Sequence, residues 1–260
     1  MAEVCAAARR LEYNGIEIAP FTLARRVEEI SPARRKETRK IIENNDLEIV
    51  GLHWLLAGTK GIHLTSTDSA VRHRTRDYLN ILLDLCYDLG GKVLIIGSPK
   101  QRNLAKNQPF EDGWDHLVDL FQSVMPKTEE LNLTWCIEPL APIETNFINT
   151  VAEGLRLVRQ INHRCFMIHL DVKAMWAQNH AVAEVIRSIP VADIGHFHVN
   201  DPNLYGPGMG DLDFTPIAEA INDIGYKGWL SVEVFKYDPD GPTIARKSMD
   251  YLRKFWPDNS

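Results

Sequence analysis

VRHRTRDYLNILLDLCYDLGGKVLIIGSP, residues 71–99, contains both halves of a repeating unit. In its first part Tyr78, Leu82, Leu85 and Leu89 share one face at helical spacing, and Gly90-Gly91 supplies the stop. KVLIIGSP (92–99) is then a near-continuous apolar, β-rich run, the pattern of a strand covered on both faces. Working outward, six more such runs appear: GIEIAPF (15–21), LEIVGLHWLL (47–56), LTWCIEPL (133–140), FMIHLDVK (166–173), IGHFHVND (194–201) and WLSVEVF (229–235). Helical patterns lie between them. TPIAEAINDIGY (215–226) opens on Thr-Pro, which predicts a capping Thr followed by a first-turn proline. Strands alternating with helices imply an α/β fold with a parallel sheet.

Strand starts about 25 to 45 residues apart, with no Gly-rich dinucleotide turn after the first, favour a closed barrel over a doubly wound sheet. The 260 residues suit one (β/α)8 barrel, which needs about 250. No linker, low-complexity tract or composition break divides 1–260 into more than one domain. One irregularity stands out. The chain opens on a helical pattern, Ala2 to Leu11, where such a barrel should open on a strand. The expected architecture is therefore a (β/α)8 barrel lacking its first β-strand. Runs 15–21 and 229–235 would then present facing edges, filled by another chain, by the N-terminal residues, or left open.

With 45% hydrophobic and 25% charged residues, the composition is that of a soluble globular protein and excludes disorder. No apolar run approaches the roughly 20 residues of a membrane span. MAEVCAAARRLEYNG (1–15) carries no apolar signal region, so a cytoplasmic location is expected. Cys5, Cys86, Cys136 and Cys165 are scattered without a CxxC pair and read as reduced core thiols. A net charge of −6 argues against a nucleic-acid partner.

Chemistry in such a barrel sits at the C-terminal ends of the strands. Polar residues that a plain core strand would lack there are His53, Glu138, His169, Asp171, His196, His198 and Glu233. Alternation groups His169, Asp171 and Lys173 on one face, and His196 with His198 on another. One strand-end carboxylate or imidazole is usually a satisfied ion pair. Four successive strands each delivering one to the same mouth point instead to a metal, because charges inside apolar strands are expensive unless paired or metal-bound. Glu138, Asp171, His198 and Glu233 form an oxygen-rich set with one nitrogen, suited to Mn²⁺, Mg²⁺ or Co²⁺ rather than a structural thiolate zinc. His169 and His196, one layer deeper, read as hydrogen-bonding support. Glu17 reads as an interior ion-pair partner, and His53 as either a substrate contact or a packing group.

These residues resemble the sugar epimerase/isomerase family of xylose-isomerase-like TIM barrels, above all ketose 3-epimerases of the D-tagatose/D-psicose type. The carriers are GIEIAPF, GSPKQR (97–102), IEPLAPIETNFINT (137–150), HLDVKAM (169–175), HFHVND (196–201) and SVEVF (231–235). The intervals Glu138 to Asp171, Asp171 to His198 and His198 to Glu233 are 33, 27 and 35 residues, similar to those between the family's metal ligands. The resemblance covers the chain from residue 2 onward. It implies a divalent metal, Mn²⁺ foremost with Co²⁺, Mg²⁺ or Zn²⁺ as alternatives, held by Glu138, Asp171, His198 and Glu233. It also implies a small carbohydrate substrate, with Glu138 and Glu233 as the acid/base pair. One Glu removes the proton beside a metal-chelated carbonyl to give a cis-enediolate, and the other returns it with inversion. Glu144 matches a substrate-contacting Glu, and relatives of this type are often dimers or tetramers, which implies a homo-oligomer.

Departures from the family pattern bear on the substrate. In ketose 3-epimerases a His follows the Asp ligand by three residues and an Arg follows the His ligand by six. Here those positions are Ala174 and Leu204, and the Asn-Arg of the first motif is Ala141-Pro142. Lys173 has the parity to face the site, where it would suit an acidic or phosphorylated substrate, or else it snorkels outward. Trp54, Lys100 and Arg102 are placed to line a wall. NLYGPGMGDLDF (203–214) is expected as a mobile loop over the mouth, with Tyr205 and Met209 facing substrate. Hydroxypyruvate isomerase, inosose dehydratase and lyases acting on 3-keto-glycosides share the proton-abstraction step and stay open as alternatives. A non-catalytic binding or assembly protein is a third class, which the missing strand makes less remote. An endonuclease IV-like nuclease would need three zinc ions and a His where Ala174 stands.

Overall fold

The computed structural model describes residues 1–178 and 181–257. Among them, seven strands form one parallel sheet in chain order: β1 (Gly15–Ile18), β2 (Glu48–Leu52), β3 (Val93–Ile96), β4 (Thr134–Ile137), β5 (Phe166–Asp171), β6 (Ile194–Val199) and β7 (Leu230–Val232). Each expected run supplies one strand. The strands are shorter than the runs because their last residues leave the sheet to shape the mouth. Around the sheet lie α1 (Ala2–Arg10), α2 (Pro32–Glu43), α3 (Ser69–Leu89), α4 (Phe110–Glu130), α5 (Val151–Ile161), α6 (Val172–Trp176), α7 (Val182–Arg187), α8 (Thr215–Asp223) and α9 (Gly241–Leu252).

Local chemistry sets the helix limits. Asp68 caps α3 by accepting from the Ala70 N–H at 2.8 Å, and Gly90, at φ 90°, ends it in the left-handed region. Tyr78, Leu82, Leu85 and Leu89 are buried as the periodicity predicts. In α5, Thr150 and Glu153 form a reciprocal capping box. The start of α8 corrects the sequence reading: Thr215 is already helical, and Asp213 accepts its N–H at 2.9 Å. All four cysteines are buried and free.

Two register shifts prepare the interior. Ile16 pairs with Ile49 but Glu17 with Gly51, leaving Val50 as an extra residue in β2. Ile168 pairs with Ile194 but His169 with His196, leaving Gly195 extra in β6. A bulge of this kind re-aims the side chains that follow it. Here the second one places the His169 and His196 rings side by side, 5.4 Å apart and nearly parallel.

The sheet does not close by hydrogen bonds. β1 and β7 are its two ends and are not bonded to each other. Helix α1 packs outside, against α2 and α9, rather than lying between them. Side chains bridge the seam instead. A Cβ at Gly15 would stand 3.0 Å from the Trp229 indole, and the Tyr13 hydroxyl donates to the Ala245 carbonyl of α9 at 2.8 Å. Segment 203–214 also differs from expectation. It is pinned beside α9, where a Cβ at Gly206 or Gly208 would collide with Ser248 or Tyr251. The Leu204 carbonyl accepts from the N–H groups of Phe235 and Lys236 at 2.9 and 3.1 Å.

Gly51 lies where β1, β2 and β3 meet, and a Cβ there would collide with the Val93 carbonyl oxygen. Because that obstacle is backbone, Gly51→Ala is expected to cost about 2 to 3 kcal/mol. The urea midpoint checks this. An unchanged midpoint would show that the neighbouring strand gives way freely.

Candidate metal centre and active site

One charged layer crosses the barrel. Glu17, on β1, is buried between two imidazoles of β6: one oxygen lies 2.5 Å from His196 Nε2, the other 2.9 Å from His198 Nε2. The second ring nitrogen of His198 lies 3.1 Å from Glu233 Oε2, just beyond β7. The other Glu233 oxygen meets His53 Nδ1 at 3.2 Å and accepts the Trp54 indole N–H at 2.8 Å. Burial alone would neutralise these groups. The charges and hydrogen bonds of Glu17 and Glu233 overcome it and hold His198 well above the usual imidazole range. Reciprocally, Glu17 and Glu233 are held well below the usual carboxylate range despite burial. His169 packs edge-on to His198, 4.2 Å between ring centroids, with both nitrogens buried and without a hydrogen-bond partner. Burial and the two neighbouring imidazoles push its pKa well down.

Two more carboxylates face this layer. Asp171 ends β5 because its side chain caps the next helix. Oδ1 accepts the Ala174 N–H at 2.7 Å and Oδ2 accepts the Asn200 amide at 2.6 Å. Asn200 is itself fixed, since its carbonyl oxygen accepts the Lys173 N–H at 2.9 Å. Glu138 follows β4, and buried Arg102 donates to its backbone carbonyl at 2.6 Å. Its carboxylate occupies the space that the missing side chain of Gly97 leaves open. Burial first, then the charges of Glu233 and Asp171, push Glu138 up to about 8. Asp171 is raised as well, by burial and by Glu233.

Donor atoms of Asp171, His198 and Glu233 lie within 4.8 Å of one another. Glu138 stands outside that set, close enough to feel its charge. Two buried carboxylates, Glu138 and Asp171, whose pKa the Glu233 charge raises, beside an imidazole steered by Glu17, fit a divalent cation. Glu17, His53 and His198 are grouped as closely, and so are His169, His196 and His198.

Other expected residues fall into place with differences. β5 stops at Asp171, so strand alternation does not position Lys173, which belongs to α6. It turns inward all the same: Nζ lies 2.9 Å from Glu144 Oε1 and 4.4 Å from the centre of the Phe235 ring. The other Glu144 oxygen accepts the Ala141 N–H at 3.2 Å. Trp54 stacks on Phe235 at 6.1 Å and 28°. Arg102 props the end of β4 rather than lining a wall, and Lys100 is exposed. Tyr205 and Met209 go with the pinned segment, and Tyr205 carries Lys236 over its ring. Asn200, Phe235 and Phe21 are missed by sequence reasoning. Only Asn200 left a trace, as an uncharged polar residue closing a buried strand.

The xylose isomerase-like TIM barrel family matches residues 5–255. L-ribulose 3-epimerase of Mesorhizobium japonicum is 27% identical over 75% of this chain and 65% of its own length. D-psicose 3-epimerase of Ruminiclostridium cellulolyticum is 28% identical over 66% of this chain and 59% of its own. The chain thus spans less than two thirds of the length of these relatives. The apo structure of 3-keto-D-glucoside 4-epimerase from E. coli superposes with a TM-score of 0.82 at 17% identity, covering 99% of this chain and 94% of that one. Among the described residues no helix is long and apolar enough to cross a membrane.

A Glu138 and a His198 that carry protons at neutral pH must each give one up to a cation that they hold. Titrating the protein with Mn²⁺ at pH 7 in two buffers of different ionisation enthalpy is expected to reveal release of about two protons per ion, and about one in Glu138→Gln. The same release in that variant as in the unaltered protein would place Glu138 outside the ion's field.

Proposed function

Because the chain belongs to the xylose isomerase-like TIM barrel family, we propose that it is a divalent-metal-dependent carbohydrate epimerase acting next to a ketose carbonyl. The convergence of Asp171, His198 and Glu233, with the Glu138 carboxylate facing them, carries this reading. The names of the two relatives, ketose 3-epimerases both, support it. Mn²⁺ suits this oxygen-rich set best. When bound, the ion polarises the carbonyl and the neighbouring hydroxyl.

The chain's own groups divide the remaining work. Asp171 and His198 hold the ion, Asp171 steadied by Asn200 and the Ala174 N–H, His198 by Glu17. Glu138 and Glu233, also ligands, come from strands three places apart in the sheet and face the substrate carbon from two sides. One takes the proton, leaving a cis-enediolate, and the other delivers a solvent-derived proton to the opposite face, after which the first loses its proton to solvent. His53 and the Trp54 indole fix the Glu233 oxygen that faces them and touch the substrate beside it. Lys173 and Glu144, paired at 2.9 Å, grip the sugar hydroxyls at the far end.

Incubating the Mn²⁺-loaded protein with D-psicose or D-fructose in D₂O is expected to place deuterium at C3 and form the epimer. Glu138→Gln is expected to keep the fold and lower exchange about a thousandfold. Full exchange in that variant would remove Glu138 from the mechanism. Loss of water, or of an aglycone from a keto-glycoside, without epimer would move the chain to the dehydratases or lyases.

A further inference from the structure

We propose that the barrel holds a second metal-binding set, His169, His196 and His198, on the inner side of the carboxylates, and that this set takes Zn²⁺. It shares His198 with the carboxylate set, and only the competition between the two rests on the metal reading given above. One ligand atom from each of the three imidazoles lies within 4.8 Å of the others, and all three side chains are buried. Their ring centres are 4.2, 5.3 and 5.4 Å apart. Nitrogens bonded to one ion at about 2.0 to 2.1 Å set the centres of their rings roughly 5 Å apart. The triangle therefore has the size that one small ion requires.

His169 supplies an independent sign of a ligand. By its place in the sequence it reads as hydrogen-bonding support, yet both of its nitrogens are buried and have no partner among the described residues. A buried imidazole left without a hydrogen bond is unfavourable, and a cation on one nitrogen relieves it. The extra Gly195 in β6 is what sets His169 opposite His196. Glu17 supplies the negative charge that a dication inside an apolar barrel needs. Its oxygens lie 2.5 Å from His196 Nε2 and 2.9 Å from His198 Nε2. A ligating imidazole usually gives its other N–H to a carboxylate, so Glu17 leaves Nδ1 of both rings to the ion.

His198 Nδ1 also lies 3.1 Å from Glu233 Oε2, inside the carboxylate set. One nitrogen thus serves both sets, and the barrel holds one ion at a time, among imidazoles or among carboxylates. Three nitrogens suit Zn²⁺, whereas the oxygen-rich set suits Mn²⁺. Zn²⁺ held by His169 and His196 takes His198 with it and leaves Asp171 and Glu233 without their ion. Affinity order does not identify the site, because nitrogen and oxygen sites alike bind Zn²⁺ more tightly than Mn²⁺. The residues that each ion depends on do identify it.

The test begins with the unaltered protein and an equimolar amount of Zn²⁺. Absorption at the zinc K-edge is expected to show three imidazole ligands; a single imidazole among oxygens overturns the proposal. Calorimetry on the metal-free protein then separates the two sets. His169→Leu is expected to weaken Zn²⁺ binding about a hundredfold and to leave Mn²⁺ binding within about threefold. Asp171→Asn is expected to do the reverse. Zn²⁺ that is lost in Asp171→Asn and indifferent to His169→Leu sits among the carboxylates, which also overturns the proposal. With both metals present, the total bound is expected to be one ion per chain, and two would overturn the sharing of His198. Deuterium exchange into D-psicose by the Mn²⁺-loaded protein is read separately. If exchange fails while zinc shows three imidazoles, the epimerase reading is lost and the imidazole site stands; the reverse result sinks only the imidazole site.

Discussion

A carboxylate buried between two imidazoles, Glu17 between His196 and His198, is the constraint on which the rest of this barrel depends. An ion inside an apolar barrel survives only when its neighbours compensate it, and breaking one partner leaves the other charge uncompensated. From Glu17 the chain of contacts runs through His198 to Glu233 and on to His53 and Trp54. It thereby ties together β1, β6 and the segments after β7 and β2. Those are the elements around the seam that backbone hydrogen bonds leave open. The contacts that aim His198 and Glu233 at a common point are thus also the ones that hold the ends of the sheet together.

The strands were legible because a buried parallel strand has to be an apolar run, and all seven runs became strands. Their ends were not, because side-chain capping decides where the backbone turns. Asp171 accepts the Ala174 N–H, so the chain enters a helix at Val172 and the alternation that seemed to place Lys173 stops two residues before it. The same limit applies to α8, where Asp213 rather than Thr215 meets the free N–H.

Residue types and strand-end positions single out Glu138, Asp171, His198 and Glu233 as candidates. They did not show that three of these lie close together and the fourth stands off over Gly97, since that depends on which glycine leaves room opposite. Glu17 was legible as an interior ion-pair partner. Its span across two histidines was not, because the bulge at Val50 that re-registers β1 against β2 leaves no mark in hydrophobic periodicity.

Of the four positions where this chain departs from the ketose 3-epimerase pattern, three, all but Pro142, have a common physical description. Ala174 acts through its N–H, which orients Asp171; Ala141 acts through its N–H on Glu144; Leu204 acts through its carbonyl, which holds Phe235 and Lys236. Each uses the backbone to position a neighbour and brings no polar side chain of its own. Glu144 is then free to pair with Lys173, and Phe235 is set between Lys173 and Trp54. Polar and aromatic capacity has not left the mouth of the barrel. It has moved from the positions of Ala141, Ala174 and Leu204 to the Lys173–Glu144 pair and the rings of Trp54 and Phe235.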